Sequence, residues 1–121
     1  NFVSMPKFFD KNLISIDTIM IGLISKFNPE NAKEVDIIYE FIFENYDPIY
    51  LEIKNQTARL LPKSETPKKI DTTLSMSHET WYKIAFNEIS GQDALIDGLV
   101  KCEGNLKNFA SMPKLFNKSL N

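Results

Sequence analysis

The chain has little of what several functional classes require. It has one cysteine, Cys102, so no internal disulfide forms, and a reducing compartment is the expected setting. Its one histidine, His78, has no second histidine or cysteine at ligand spacing. It reads as a surface residue at a helix start, and neither a metal site nor a catalytic dyad is expected. The four glycines build no phosphate-cradling loop, since Gly91 and Gly98 stand alone as helix punctuation. No apolar run approaches the roughly 18 residues a membrane span needs, and residues 1 to 20 lack a signal-peptide layout. The net charge is −2, with acids and bases interspersed. The one basic cluster, Lys63 with Lys68 and Lys69, is interrupted by Glu65 and Asp71, which argues against a nucleic-acid surface. A cytoplasmic domain with no cofactor is the expectation.

What is present is a core and a repetition. With 121 residues, 43% of them apolar, the chain can bury a core without disulfides or metal. Residues 1 to 13 read NFVSMPKFFDKNL and residues 108 to 120 read NFASMPKLFNKSL. Nine of the thirteen positions are identical when Asn1 is aligned with Asn108, an offset of 107 residues. That period is domain-sized, far longer than a solenoid repeat. Residues 1–13 are therefore read as the tail of a preceding copy, and residues 14–121 as one whole unit. The alternative is a single domain whose two ends are similar helices packed on each other.

Apolar residues at 16, 19, 20, 23, 24 and 27 predict a helix, with Ser15 as N-cap and Asn28-Pro29 as stop. Alternation from Val35 through Ile37, Tyr39, Phe41 and Phe43 predicts a long strand with one apolar face, and Asn45-Tyr46-Asp47-Pro48 turns the chain. A second strand carries Ile49, Leu51 and Ile53, and a tight Asn55-Gln56 connection leads into a third, residues 57–61. A charged loop follows at 62–69, then a fourth strand through Ile70, Thr72, Leu74 and Met76. These four read as a meander. Ser77 caps a helix with two apolar faces, Trp81-Ile84-Ala85 and Tyr82-Phe86-Ile89, which predicts burial on both sides or a cavity wall. A short helix ends at Gly98, residues 99–103 make a fifth strand, and Pro113 must kink the final helix or start a new one.

This order resembles the sterol carrier protein type-2 family, and so do five stretches of wording. They are Phe27-Asn28-Pro29-Glu30-Asn31-Ala32, Tyr50-Leu51-Glu52-Ile53-Lys54-Asn55, and Asp71-Thr72-Thr73-Leu74-Ser75-Met76-Ser77 leading to Trp81. The others are Gly91-Gln92-Asp93-Ala94-Leu95-Ile96-Asp97-Gly98 and Val100-Lys101-Cys102-Glu103-Gly104-Asn105-Leu106. The resemblance implies an α+β fold: a five-stranded, mostly antiparallel sheet covered on one face by helices. It further implies an apolar tunnel for fatty acids, fatty-acyl thioesters or sterol-like lipids, in a binding module rather than an enzyme. The chain departs from the family pattern at Asn87-Glu88, at Gly104-Asn105 and at Pro113.

On this reading the tunnel lining is Phe41, Phe43, Leu51, Ile53, Trp81, Ile84, Ala85, Leu95, Leu99, Met112, Leu115 and Phe116. From the residues alone, the same surplus of large apolar side chains reads first as a close-packed core, and it is the resemblance that turns the reading to a cavity wall. Trp81 is buried in either case. Cys102 reads as a buried small hydrophobe rather than a nucleophile. The acids Asp71, Glu79, Glu88, Asp93 and Asp97 fall at turns and helix starts, and no pair stands out as acid and base. The expected role is noncovalent binding of a fatty acid or other lipid by the last copy of a tandem or multidomain bacterial protein. Two rivals remain: an interaction module docking on a sister domain, and an accessory part of a larger flavin or reductase enzyme.

Overall fold

A computed structural model describes residues 14–118; the expectations for residues 1–13 and for Leu120 lie outside the described residues. The first helix, α1 (Ile16–Ser25), starts as predicted: the Ser15 hydroxyl accepts the Thr18 N–H at 3.0 Å. It ends at Lys26, and a 3-10 turn, Pro29–Ala32, follows under an Asn28 cap. Strand β1 (Ile37–Phe43) begins two residues later than the alternation suggests, after Glu34 takes a positive φ of 61°. Strands β2 (Ile49–Lys54) and β3 (Thr57–Leu60) form an antiparallel hairpin. Its two-residue turn has φ values of 54° and 58° at Asn55 and Gln56, the mirror-image turn that suits a twisted hairpin.

The predicted four-stranded meander is corrected at the next strand. β4 (Thr72–Met76) does not continue beside β3; it pairs in parallel with β1, placing Leu74 against Phe41 and Met76 against Phe43. The sheet order becomes β3-β2-β1-β4-β5, with β5 (Val100–Gly104) antiparallel to β4. The reason is burial. β3 is short and leaves alternate residues exposed, as an edge strand does, whereas Thr72, Leu74 and Met76 are buried and complete the apolar face of β1. The charged loop supplies the length a parallel connection needs. Asp71 anchors its end: its backbone N–H reaches Ile38 O at 2.9 Å and its Oδ2 accepts the Ile38 N–H at 2.8 Å.

Helices α2 (His78–Ala85) and α3 (Gly91–Ile96) are capped by Ser77 and Ser90. Gly98, at φ +76°, closes the turn after α3. Gly104, at φ +88°, lies so close to β4 that an added Cβ would collide with the Asp71 carbonyl oxygen. The final segment breaks into α4 (Leu106–Ala110) and α5 (Met112–Leu115), with Pro113 in the first turn of the new helix. The helices of the described residues pack on the sheet face that carries Tyr39, Phe41, Leu51 and Leu74, and one apolar cluster joins the two layers. No helix of the described residues is long and apolar enough to cross a membrane.

Candidate functional site

The inner sheet face is built by alternation. Phe41, Phe43, Leu51 and Ile53 project from β1 and β2 and are at most 2% exposed. Trp81 descends from α2 onto them, its ring centroid 5.2 Å from Phe41 and 6.5 Å from Phe43. Met112, Leu115 and Phe116 close the cluster from the C-terminal segment, and Ile84, Ala85 and Leu95 pack on it while partly buried. Eleven of the twelve residues expected to line a tunnel therefore meet in or against one apolar cluster. Leu99 does not join them. It precedes β5 directly after Gly98 and is 47% exposed.

The second apolar face of α2 also departs from expectation. Tyr82 and Phe86 stack on each other at 4.5 Å, but Phe86 is 54% exposed. Tyr82 and Ile89 are partly buried against the core, so of this face only Phe86 turns to solvent.

Among the described residues, one buried side-chain polar atom has no partner. The Trp81 indole Nε1 is buried among Phe41 and Phe43 without a hydrogen-bond acceptor. An unmade bond of this kind costs about 1–3 kcal/mol, so a native structure that keeps one calls for a reason. The other buried side-chain polar groups of the described residues are satisfied. Tyr39, absent from the expected lining, is fully buried and its hydroxyl donates to Asn108 O at 2.6 Å. Burial pushes its phenol well above its ordinary pKa, with the Ser111 hydroxyl offsetting part of the shift. Asn108 Nδ2 in turn donates to Thr72 Oγ1 at 2.9 Å, and Thr72 Oγ1 donates to Asn105 O at 2.8 Å. Tyr39 and Leu74 could have been added to the lining from their position in the same alternation that gave Phe41 and Phe43.

The stretch Phe27 to Ala32 has a specific task. Phe27 meets Phe116 at 5.7 Å between ring centroids, and the Asn28 N–H donates to Leu115 O at 2.8 Å. Asn28 Nδ2 donates to Asn117 Oδ1 at 2.9 Å, and Asn31 Nδ2 donates to Lys114 O at 2.9 Å. These residues form the seat that receives the closing segment 108–118.

The remaining candidates have structural roles. His78 Nε2 bonds the Ile14 carbonyl at 2.5 Å, tying α2 to the start of α1. Cys102 faces the core opposite Leu74 and is partly buried; burial, and secondarily Glu103, raise its thiol pKa, which disfavours the nucleophilic thiolate. Among the described residues no group of three or more His, Cys, Asp or Glu side chains could hold a metal ion. Two surface grooves are edged by charge: one runs from Glu44 to Glu79 past His78, and the other crosses the outer sheet face between Asp36, Lys54 and Lys69.

The fold is similar to that of several solved structures. The sec-alkylsulfatase Pisa1 from Pseudomonas sp. matches with a TM-score of 0.77 at 21% identity, over 92% of this chain and 18% of that one. The present chain thus spans less than a fifth of that enzyme. Palmitated SCP2L2 from Aedes aegypti matches with a TM-score of 0.67 at 14% identity, over 88% of this chain and 99% of that one. Sterol carrier protein 2 from Yarrowia lipolytica, in its apo form, matches with a TM-score of 0.52 at 15% identity, over 80% and 92% of the two chains. No curated protein sequence matches the chain. The model of the SCP-2 sterol transfer family matches residues 23–117, from within α1 to the end of the closing segment. By that match, on this fold, the chain belongs to the SCP-2 sterol transfer family.

Proposed function

We propose that the domain binds a fatty acyl chain or a similar apolar lipid noncovalently, between the inner sheet face and the helices, and performs no chemistry of its own. The observation that carries this reading is Trp81. Its ring lies among Phe41 and Phe43, and its buried indole N–H lacks an acceptor among the described residues. A ligand with an apolar chain and an oxygen acceptor complements both features. Family membership and the palmitated relative support the same class of ligand.

The mechanism is sequestration. Burying ten methylenes at about 0.8 kcal/mol each gives roughly 8 kcal/mol before ordering costs, which sets the affinity at micromolar or weaker. The aromatic and aliphatic side chains of the inner face are buried in one apolar cluster beneath the helices, and the ligand enters between these two layers. Leu51 and Ile53 lie on the sheet side of that space, and Leu95 on the helical side.

A second reading is an accessory module of a larger protein. Its supporting observation is apolar surface on the helical side, where Phe86, Ile96 and Leu99 are 54%, 72% and 47% exposed.

Native mass spectrometry of gently purified protein, followed by titration with palmitate, separates the two. Lipid binding predicts a stoichiometric adduct or a saturable change in the emission of Trp81. A clean apo mass with no change in emission overturns it in favour of the accessory module.

A further inference from the structure

We infer that residues 1–13 are a second closing segment, fitted to the seat that residues 108–118 occupy but belonging on another copy of this fold. The inference rests on the repeated sequence and on what the repeat does where it is seated, and is independent of any ligand.

Each side chain that the seat uses has its counterpart. Phe109 and Met112 are buried in the core, and Phe2 and Met5 repeat them. Asn108 bridges Tyr39 and Thr72 through its carbonyl and its amide, and Asn1 repeats it. The Ser111 hydroxyl donates to Asn108 O at 3.1 Å, and Ser4 repeats it. Phe116 meets Phe27, and Phe9 repeats it.

The differences are compatible with the same seat. Ala110 is exposed, so Val3 in its place meets no obstacle. Leu115 is buried and would become Phe8, the one change that asks the core for room. Asn117 uses its acceptor oxygen here, taking hydrogen bonds from Asn28 Nδ2 at 2.9 Å and Asn31 Nδ2 at 3.4 Å. Asp10 keeps that acceptor and strengthens it with charge.

Geometry assigns the segment to a different copy. In the seat, the Lys118 N–H bonds Lys26 O at 2.9 Å, beyond the C-terminal end of α1. Lys11, its counterpart, is three residues from Ile14, a reach of at most about 11 Å. Ile14 precedes the opposite end of α1, a helix of 10 residues that is about 15 Å long. Residues 1–13 therefore cannot fill this chain's own seat in the same register, whereas the seat of a second copy carries no such restriction.

The test mixes two full-length chains, both carrying Cys102→Ser. One carries Asp10→Cys and the other Asn28→Cys. Oxidation is expected to give a disulfide-linked heterodimer, and the yield should rise when the second chain also carries Phe116→Ala, which loosens the resident segment. A single chain with Asn28→Cys and Asn117→Cys reports that the seat geometry permits the bond. Closure of that control without any heterodimer in either background overturns the proposal.

A second measurement asks about fit alone. The variant Ala110→Val, Leu115→Phe, Asn117→Asp, Ser119→Asn rewrites the resident segment as residues 1–13, and it is expected to keep one cooperative urea transition with an unchanged slope. Loss of that transition where Leu115→Phe alone retains it overturns the fit.

Discussion

The two faces of the sheet are made by the same strands and have opposite characters. On β1, Tyr39, Phe41 and Phe43 point inward and are at most 2% exposed, while Glu40 and Ile42 alternate with them on the outer face. There Glu40 accepts hydrogen bonds from the Tyr50 hydroxyl and the Thr73 hydroxyl, each at 2.9 Å. Arg59 on β3 bonds Glu52 at 3.0 Å and Glu65 at 2.7 Å, which pins the charged loop to the strand edge. Outer contacts of this kind are solvated and each contributes little. The inner contacts remove whole aromatic rings from water. Fold stability and the candidate site therefore share one face, and the other carries solvated polar contacts that hold register.

Neighbouring residues test that division most severely. Phe41→Ala is expected to destabilise the domain by about 3–5 kcal/mol, because it opens a cavity beneath Trp81. Ile42→Ala, one residue along the same strand, should stay within about 0.5 kcal/mol. Urea melts of the two variants measure both, and similar losses would break the comparison.

Filling the inner face rather than emptying it gives the next effect. Leu51→Trp and Leu95→Trp should each cost about 1–3 kcal/mol through overpacking, with Leu51 the costlier. Leu51 is fully buried in a strand between two others, whereas Leu95 is partly buried on a short helix. Both substitutions should abolish palmitate uptake measured by titration, and unchanged affinity in folded variants would move the ligand away from this face.

Alternation and capping were readable from the chain because they are local. Ser15, Ser77, Asn55-Gln56 and the period-two pattern of β1 and β2 each act within a few residues. The partner of β4 was not readable, because Thr72, Leu74 and Met76 would alternate identically beside β3 or beside β1. That choice depends on which strand edge offers a buried neighbour. The same limit explains Leu99 and Phe86: large apolar side chains at plausible helical or strand positions whose exposure depends on how the helices tilt. It also explains Phe27 to Ala32, which stood out by resemblance, while its work as the seat of the closing segment depends on contacts more than eighty residues away in sequence.

Two tyrosines sharpen the comparison at its smallest scale. Both have raised pKa values, but for different reasons. Burial raises Tyr39 on the inner face, and a hydrogen bond to Glu40 raises Tyr50 on the outer one. A phenol whose folded pKa exceeds its unfolded value keeps its full contribution to stability below the ordinary value of about 10, and loses it as pH rises toward the folded value. For Tyr39 the loss should reach about 1.4 kcal/mol by pH 11, since the unfolded chain ionises there and the buried phenol does not. Tyr39→Phe removes one hydrogen bond to Asn108 O, at about 1 kcal/mol near neutrality, and should flatten the alkaline limb of a plot of urea midpoint against pH. Tyr50→Phe should flatten it less, because the outer phenol is mostly solvated and its shift depends on a partner that water can replace. An equal flattening by both would mean that burial adds nothing beyond a hydrogen bond, and that the two faces do not differ in this respect.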